Sequence, residues 1–126
     1  MEFIEPDLSK IIFDAALRVH KELGPGLLES AYTTCLHYEL IQSGLTAQRE
    51  VPLPLVYQDV QLEAGYRLDI VVENKVIIEV KSVDALAPIH FAQVLTYLKL
   101  YNTRLGMLIN FNEVLLKNGF KRIVNG

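Results

Sequence analysis

The chain has little cysteine and no long apolar run, and each shortage excludes a class of protein. Its 126 residues include a single cysteine, Cys35, which rules out an internal disulfide and an all-cysteine zinc or iron–sulfur site within one chain. No apolar run approaches the roughly 20 residues that a membrane-spanning helix needs. Residues 1–7 are acidic and lack the basic and apolar regions of a signal peptide, so we expect a cytoplasmic protein without membrane association.

Several enzyme signatures are also missing. The sequence has no glycine-rich phosphate loop and no serine–histidine–acid order. His20, His37 and His90 lack metal-ligand spacing, so we expect them to be structural, and Cys35 lies in an apolar helical stretch. There is no internal repeat. With 51% hydrophobic and 21% charged residues, the chain is predicted to fold as one domain, residues 1–126.

Charge is scarce overall but unevenly distributed. The net charge of −3 argues mildly against a dedicated nucleic-acid binder. Residues 1–74 carry 5 Lys or Arg and 12 Asp or Glu, whereas residues 75–126 carry 7 and 3. A basic C-terminal half would suit phosphate binding near an acidic metal site. Ordinary variation of surface charge is the alternative interpretation.

The hydrophobic pattern predicts helices first and strands afterwards. Apolar residues at helical spacing predict helices over 7–23, with Asp7 as its cap, and over 27–42. Strands are predicted over 51–57, 61–72, 76–82, 104–111 and 120–124, with a helix over 88–101. Two prolines predict that the first strand lies at a sheet edge or pairs only in part, and Gly65 predicts a bulge or bend in the second. The order predicts an α/β fold with a mixed central sheet flanked by helices.

Three charged residues fall inside two apolar strand patterns. Glu79 and Lys81 are two residues apart, so they share a strand face. If the preceding turn is the three residues 73–75, Asp69 lies opposite Glu79 on that face. A two-residue turn would place Asp69 on the wrong face instead. The longer turn needs a left-handed residue at Asn74 or Lys75.

Charged groups in apolar strands are costly unless they are paired, solvated or bound to metal. Two adjacent carboxylates stay ionised only if a cation is supplied, and Mg²⁺ or Mn²⁺ prefers such oxygen ligands. Lys81 would then orient the attacking water or stabilise charge on the phosphorus centre. Asp69, Glu79 and Lys81 therefore suit a metal-dependent phosphodiesterase. A cross-strand Lys–Glu salt bridge on a solvated face is the simpler alternative.

Two helices offer supporting residues. Glu29 opens the second helix, either as a third acid of the metal site or as a carboxylate that stabilises the helix N-terminus. Tyr32 shares its face and is expected in the core. Gln93 and Tyr97 share a face of the third helix, where Gln93 is either a polar residue near the site or a solvated one.

Taken together, these residues resemble a known family. The segment 26–32 matches the Gly-x-x-Glu-x-x-Tyr signature of the bacterial "GxxExxY" proteins, and the segments 65–69, 78–82, 92–98 and 108–111 are similar to it as well. The resemblance covers about residues 8–125. That family is placed in the PD-(D/E)xK nuclease superfamily, whose restriction-endonuclease-like core is a helix, a three-stranded meander, a helix and a strand.

The resemblance implies a role for each matching position. Asp69 and Glu79 would be metal ligands, Lys81 the catalytic lysine, Glu29 the acid of the first core helix and a third ligand, and Gln93 the polar residue of the following helix. Leu68 stands where the superfamily name has a proline, a position where that proline is often absent.

The function expected from the resemblance is Mg²⁺- or Mn²⁺-dependent hydrolysis of DNA phosphodiester bonds. Candidate phosphate contacts are the basic residues of the C-terminal half, Lys99, Arg104, Lys117, Lys121 and Arg122. Because a chain of this size has little surface beyond its site, a homodimer or another partner would help it to hold a duplex. The alternative function is a non-catalytic DNA-binding or protein-interaction subunit that keeps the nuclease fold.

Overall fold

The computed structural model describes residues 4–62 and 65–126. It contains the helices α1 (Pro6–Leu23), α2 (Glu29–Gln42) and α3 (Pro88–Tyr101) and a short 3-10 helix, Leu116–Asn118. The strands are β1 (Ala47–Pro52), β2 (Leu55–Tyr57), β3 (Val60–Leu62), β4 (Arg67–Val72), β5 (Val76–Lys81), β6 (Leu105–Asn110) and β7 (Phe120–Val124).

Five of the strands form one mixed sheet in the order β1-β4-β5-β6-β7. β5 and β6 are parallel and are joined through α3, whereas the other neighbouring strands are antiparallel. β2 and β3 form a separate two-stranded hairpin inserted between β1 and β4. The predicted order of a helix, a three-stranded meander, a helix and a strand is confirmed.

Each face of the sheet buries its own core. Ile70, Ile78 and Met107 pack with α1 and α2 on one face. Val71, Ile77 and Leu108 pack with Val94 and Leu98 of α3 on the other. Since alternate residues of β5 point to opposite faces, Glu79 and Lys81 follow Ile77 onto the α3 face, where they continue an apolar row with charged groups.

The structure corrects the N-terminal cap and the first two strands. Glu5, not Asp7, precedes α1 and adopts a left-handed conformation with φ 49°. The first strand of the sheet begins at Ala47 and ends at Pro52. It does not continue to residue 57, because Pro54 has no N–H to donate to the ladder. It is an edge strand, as predicted. The second predicted strand is interrupted at Gly65, which has φ 73°, and residues 63–64 of that prediction lie outside the described part.

Among the described residues, no helix is both long enough and apolar enough to span a membrane.

Gly106 on β6 sets how closely α3 approaches the sheet. A Cβ atom at this position would lie 2.8 Å from Cγ1 of Val94 and 3.3 Å from Cδ2 of Leu98. We expect Gly106→Ala to displace α3 and lower the free energy of unfolding by about 1–3 kcal/mol, measured by urea denaturation. Gly126→Ala is the matched control, because its Cβ would meet nothing closer than 3.5 Å. Equal stability of the two variants would contradict the close packing of α3.

Candidate active site

The turn between β4 and β5 sets the register of the site. Val72 pairs with Val76, and the N–H of Lys75 donates to the carbonyl of Val72 at 2.9 Å. The predicted three-residue turn is confirmed. The turn was predicted to need a left-handed residue at Asn74 or Lys75, and Asn74 is left-handed with φ 54°. Glu73 is also left-handed, with φ 53°. Lys75 is not left-handed.

The turn is held from the side by β1. The N–H of Glu73 donates to the carbonyl of Thr46 at 2.8 Å, and the N–H of Thr46 donates to Oε2 of Glu73 at 2.6 Å. The hydrogen bond from the Thr46 main chain lowers the pKa of the exposed Glu73 carboxyl. This reciprocal pair fixes the turn, and with it the position of Asp69 along β4.

At Asp69 and Glu79, side chains take over the hydrogen bonds of the β4–β5 ladder. The N–H of Asp69 donates to Oε2 of Glu79 at 2.9 Å, and the N–H of Val80 donates to Oδ2 of Asp69 at 2.8 Å. Each carboxylate thus binds the main chain of the opposite strand. The two residues meet as the three-residue turn predicted.

The strand on the other side of β4 also departs from regular pairing here. β1 pairs Arg49 with Ile70 and Val51 with Leu68. Glu50, between them, has φ 48° and is exposed, and its negative charge raises the pKa of Asp69. Sequence reasoning missed Glu50 because the first strand was predicted to begin after it. The sequence feature that could have drawn attention to Glu50 was its position as an acidic residue between Arg49 and Val51.

Burial makes both carboxyl groups reluctant to ionise. Glu79 is only 4% exposed, and Asp69 is half-buried. Desolvation, followed by the negative charge of Asp69, raises the pKa of Glu79 to about 8. Desolvation also raises the pKa of Asp69, against the lowering effect of its bond from Val80. Burial therefore favours the protonated form of the pair unless a cation compensates the negative charge.

Lys81 contributes a positive charge that acts on the two carboxyl groups. It is half-buried at the end of β5, and its charge lowers the pKa of both Asp69 and Glu79. Within residues 4–62 and 65–126, no direct ion pair joins Lys81 to either carboxylate. The alternative of a simple Lys–Glu salt bridge is therefore not what the structure contains.

The carboxylates keep oxygens that can bind a ligand. Hydrogen bonds use Oε2 of Glu79 and Oδ2 of Asp69. The second oxygen of each carboxylate accepts no hydrogen bond from the described residues. Because no buried side-chain oxygen of the described residues lacks a hydrogen-bond partner, both of these oxygens reach solvent. Such a donor set fits a hard divalent cation. No group of three or more His, Cys, Asp or Glu side chains in the described chain is arranged around one metal position, so protein carboxylates would fill only part of the shell.

Glu29 reaches the site electrostatically from the start of α2. It is the first residue of that helix and is exposed, and its charge raises the pKa of both Asp69 and Glu79. Its place in the first turn also suits the alternative interpretation, since a carboxylate there stabilises the helix N-terminus. Its role as a metal ligand stays a prediction.

Tyr32 holds the loop that presents Glu29. Its hydroxyl donates to the carbonyl of Gly24 at 2.5 Å and accepts from the N–H of Leu27 at 3.1 Å. The buried ring stacks on Phe111, with centroids 4.6 Å apart. Gly26 has φ 100°, a conformation that favours glycine. The Gly-x-x-Glu-x-x-Tyr pattern thus forms a loop that the tyrosine ties to the core.

The end of β5 is fastened to this loop by residues that sequence reasoning did not assign a role. The hydroxyl of Ser82 donates to the carbonyl of Leu27 at 2.6 Å. Asn110, fully buried beside Lys81 in the β5–β6 register, accepts from the N–H of Val83 at 3.0 Å and donates to its carbonyl at 2.9 Å. A buried amide in an apolar strand was the signal for this anchor.

α3 packs Tyr97 against the sheet face that carries the carboxylates. Burial, and then the charges of Glu79, Tyr66 and Asp69 in that order, raise the pKa of Tyr97. Gln93 lies one turn earlier on the same side of the helix and is half-buried. Neither alternative for Gln93 is decided. Tyr66, just before β4, was not singled out from the sequence.

The predicted phosphate contacts are scattered rather than gathered. Lys121 pairs with Leu108, which pairs with Glu79, so it lies on the site face two strands away. Lys117 lies in the 3-10 helix beyond the end of β6. Lys99 lies in the last turn of α3, and Arg104 precedes β6, at the opposite end of the sheet. Arg122 bonds to Ser9 and Ile4 at the start of α1, so it is not at the site.

The histidines contact the main chain. His20 bonds to the carbonyl of Glu113 at 2.7 Å, His37 to that of Ala47 at 2.9 Å, and His90 accepts from the N–H of Ala87 at 2.9 Å. These contacts agree with structural roles. Cys35 is partly buried against the core.

Comparison with protein families agrees with this arrangement. A model of the PD-(D/E)XK nuclease superfamily matches residues 6–123. The chain belongs to the PD-(D/E)XK nuclease superfamily. The acidic pair and lysine of that name correspond in type to Asp69, Glu79 and Lys81 of this chain. Members generally use divalent metals and act on nucleic acid. Searches of curated proteins and of solved structures found no match.

The raised pKa of Glu79 predicts how stability depends on pH in this PD-(D/E)XK chain. Because its folded pKa of about 8 exceeds the ordinary 4.5, the folded state binds more protons between these values. The contribution of Glu79 to the free energy of unfolding is therefore fully present below about pH 4.5 and is lost as the pH rises through 8. With chelator present, raising the pH from 5 to 8 should lower the free energy of unfolding of wild type by on the order of 2–4 kcal/mol more than that of Glu79→Gln.

Urea denaturation at the two pH values measures this difference. The exposed Glu22→Gln is the matched control and should follow wild type. If Glu79→Gln and wild type respond equally to pH, Glu79 is not a buried, proton-binding carboxyl.

Proposed function

We propose that the chain is a metal-dependent nuclease that hydrolyses DNA phosphodiester bonds. Mg²⁺ or Mn²⁺ would be held by Asp69 and Glu79, with Glu29 close enough to contribute charge. When bound, such an ion polarises a phosphate oxygen and acidifies water. A non-catalytic nuclease-fold subunit that binds DNA or protein is the alternative.

One observation carries the proposal. Two neighbouring carboxyl groups, both with raised pKa, each accept a hydrogen bond from a main-chain N–H of the opposite strand and keep a second oxygen open to solvent. For stability alone, such burial is unfavourable, because each carboxylate loses hydration. A function that needs the two charges together accounts for it.

The other residues have distinct tasks in this proposal. Lys81 lies on the same strand face as Glu79, and its positive charge acts on both carboxyl groups; its ammonium would orient water or stabilise charge at phosphorus. Gln93 would bind water or phosphate from α3. Lys121, on the site face, and Lys117, beyond the end of β6, would contact phosphate near the site, whereas Lys99 and Arg104 would contact only a long substrate.

The finer identity is also proposed. The Tyr32-held loop before Glu29 supports membership of the GxxExxY group. We further propose a single domain over 1–126, a cytoplasmic location and a homodimer that helps to hold DNA.

Cleavage and metal binding are expected to depend on the same residues. With Mg²⁺ or Mn²⁺, wild type should cut at least one of duplex, single-stranded or branched DNA, and Lys81→Ala should slow cutting by about 100- to 1,000-fold. Calorimetric titration should show Mn²⁺ binding that Asp69→Asn abolishes. Lys21→Ala, an exposed lysine of α1, is the matched control for the removal of charge.

Two results separate the alternatives. If wild type cuts no substrate faster than Lys81→Ala, the nuclease proposal fails for those substrates. Absence of Mn²⁺ binding to wild type would favour the non-catalytic subunit.

A further inference from the structure

The β2–β3 hairpin leaves the sheet at the end that carries the candidate active site. β1 ends at Pro52, and β4 begins at Arg67, shortly before Asp69. The N–H of Leu53 donates to the carbonyl of Tyr66 at 2.9 Å, which closes the base of the hairpin. The hairpin therefore projects beyond the strand ends, beside the path by which a substrate would reach the carboxylates.

One face of this hairpin is apolar and exposed. The pairs Leu55–Leu62 and Tyr57–Val60 share that face, and the pair Val56–Gln61 lies on the other. We call the four residues Leu55, Tyr57, Val60 and Leu62 the hairpin apolar face. Tyr57 is 68% exposed and Val60 54%. Since a two-stranded hairpin is marginal by itself, a face of this kind is typical of a binding surface.

The apolar surface continues around the site. Tyr66 is 47% exposed where the chain enters β4, and Ile89 is 69% exposed in the first turn of α3. Leu28, immediately before Glu29, is 78% exposed. All three lie at the same end of the sheet, because Ser82 bonds to Leu27 and α3 begins after β5 at this end. The carboxylates are thus bordered by apolar and aromatic side chains.

The charges at this end of the sheet are mixed rather than uniformly basic. Glu29 and Glu50 add negative charge, and the described basic residues near them are Arg49, Arg67, Lys81 and Lys117, with Lys121 further along the sheet face. Duplex binding relies on several phosphate contacts to lysine and arginine. Binding of single strands combines such contacts with the stacking of unpaired bases on aromatic side chains. Because exposed tyrosines lie beside a small number of basic residues here, single-stranded nucleic acid is the partner that this border suits.

We propose that the hairpin apolar face binds unpaired nucleobases, so that the substrate class is DNA with a single-stranded segment next to the scissile bond. The inference rests on the proposed nuclease function, because the nearby carboxylates are what makes nucleic acid the partner. Tyr57 at the tip and Tyr66 at the base would stack on bases of the single-stranded segment, and a phosphate beyond Tyr66, on the side of β4, would reach Asp69 and Glu79.

Binding of labelled oligonucleotides to the Lys81→Ala protein, followed by fluorescence anisotropy, tests this without cleavage. Three probes are compared: a single strand, a blunt duplex of the same sequence and a duplex with a single-stranded flap. The single strand and the flap should bind at least about fivefold more tightly than the blunt duplex. Adding Val60→Ser or Tyr57→Ser should weaken their binding by about five- to a hundredfold.

Val56→Ser is the matched control for Val60→Ser, because both valines are exposed on the same hairpin but on opposite faces. Tyr38→Ser is the matched control for Tyr57→Ser, because Tyr38 is an exposed tyrosine of α2. Both controls should bind within about twofold of the parent. Tighter binding of the blunt duplex, or equal loss in Val56→Ser and Val60→Ser, would overturn the inference.

A second copy of the chain is the competing occupant, and sedimentation measures it. If Val60→Ser turns a dimer into a monomer while the affinity for single strands is unchanged, the hairpin is a subunit interface and the inference fails. The two proposals fail separately. Hairpin-dependent binding without any Lys81-dependent cleavage removes the nuclease function alone, whereas Lys81-dependent cleavage that all hairpin variants retain removes only the base-binding face.

Discussion

The crossed hydrogen bonds from the N–H of Asp69 to the Glu79 carboxylate and from the N–H of Val80 to the Asp69 carboxylate are the constraint on which the rest of the site depends. Each carboxylate replaces a carbonyl as acceptor for an amide of the opposite strand. The sheet stays closed at this point, yet two carboxyl groups are brought together where burial opposes their ionisation. A cation would relieve that cost, so the local pairing of β4 and β5 and the proposed chemistry have the same origin.

Three further parts of the fold serve this arrangement. The reciprocal bonds between Glu73 and Thr46 hold the turn that sets the register. Ser82 ties the end of β5 to the loop before Glu29, and the buried Asn110 fixes the next residue, Val83. The candidate site is thus assembled at one end of the sheet, where β5, α2 and α3 meet.

The sequence was sufficient for features that depend on local chemistry. The alternation of Glu79 and Lys81, the turn at 73–75 and the helix from Pro88 all follow from periodicity and turn length, and the fold class follows from their order. The β2–β3 hairpin was missed because 51–57 and 61–72 both have strand composition, and only tertiary pairing divides them. Glu50 and Asn110 were missed for a related reason: their importance comes from which strand lies beside them.

The most direct test of the central claim is anomalous diffraction from crystals of the wild-type protein soaked in Mn²⁺ near neutral pH. The account predicts an anomalous peak within coordination distance of a carboxylate oxygen of both Asp69 and Glu79, and no such peak in Asp69→Asn crystals soaked in the same way. A peak at neither carboxylate, or a wild-type peak that persists in the variant, would contradict it.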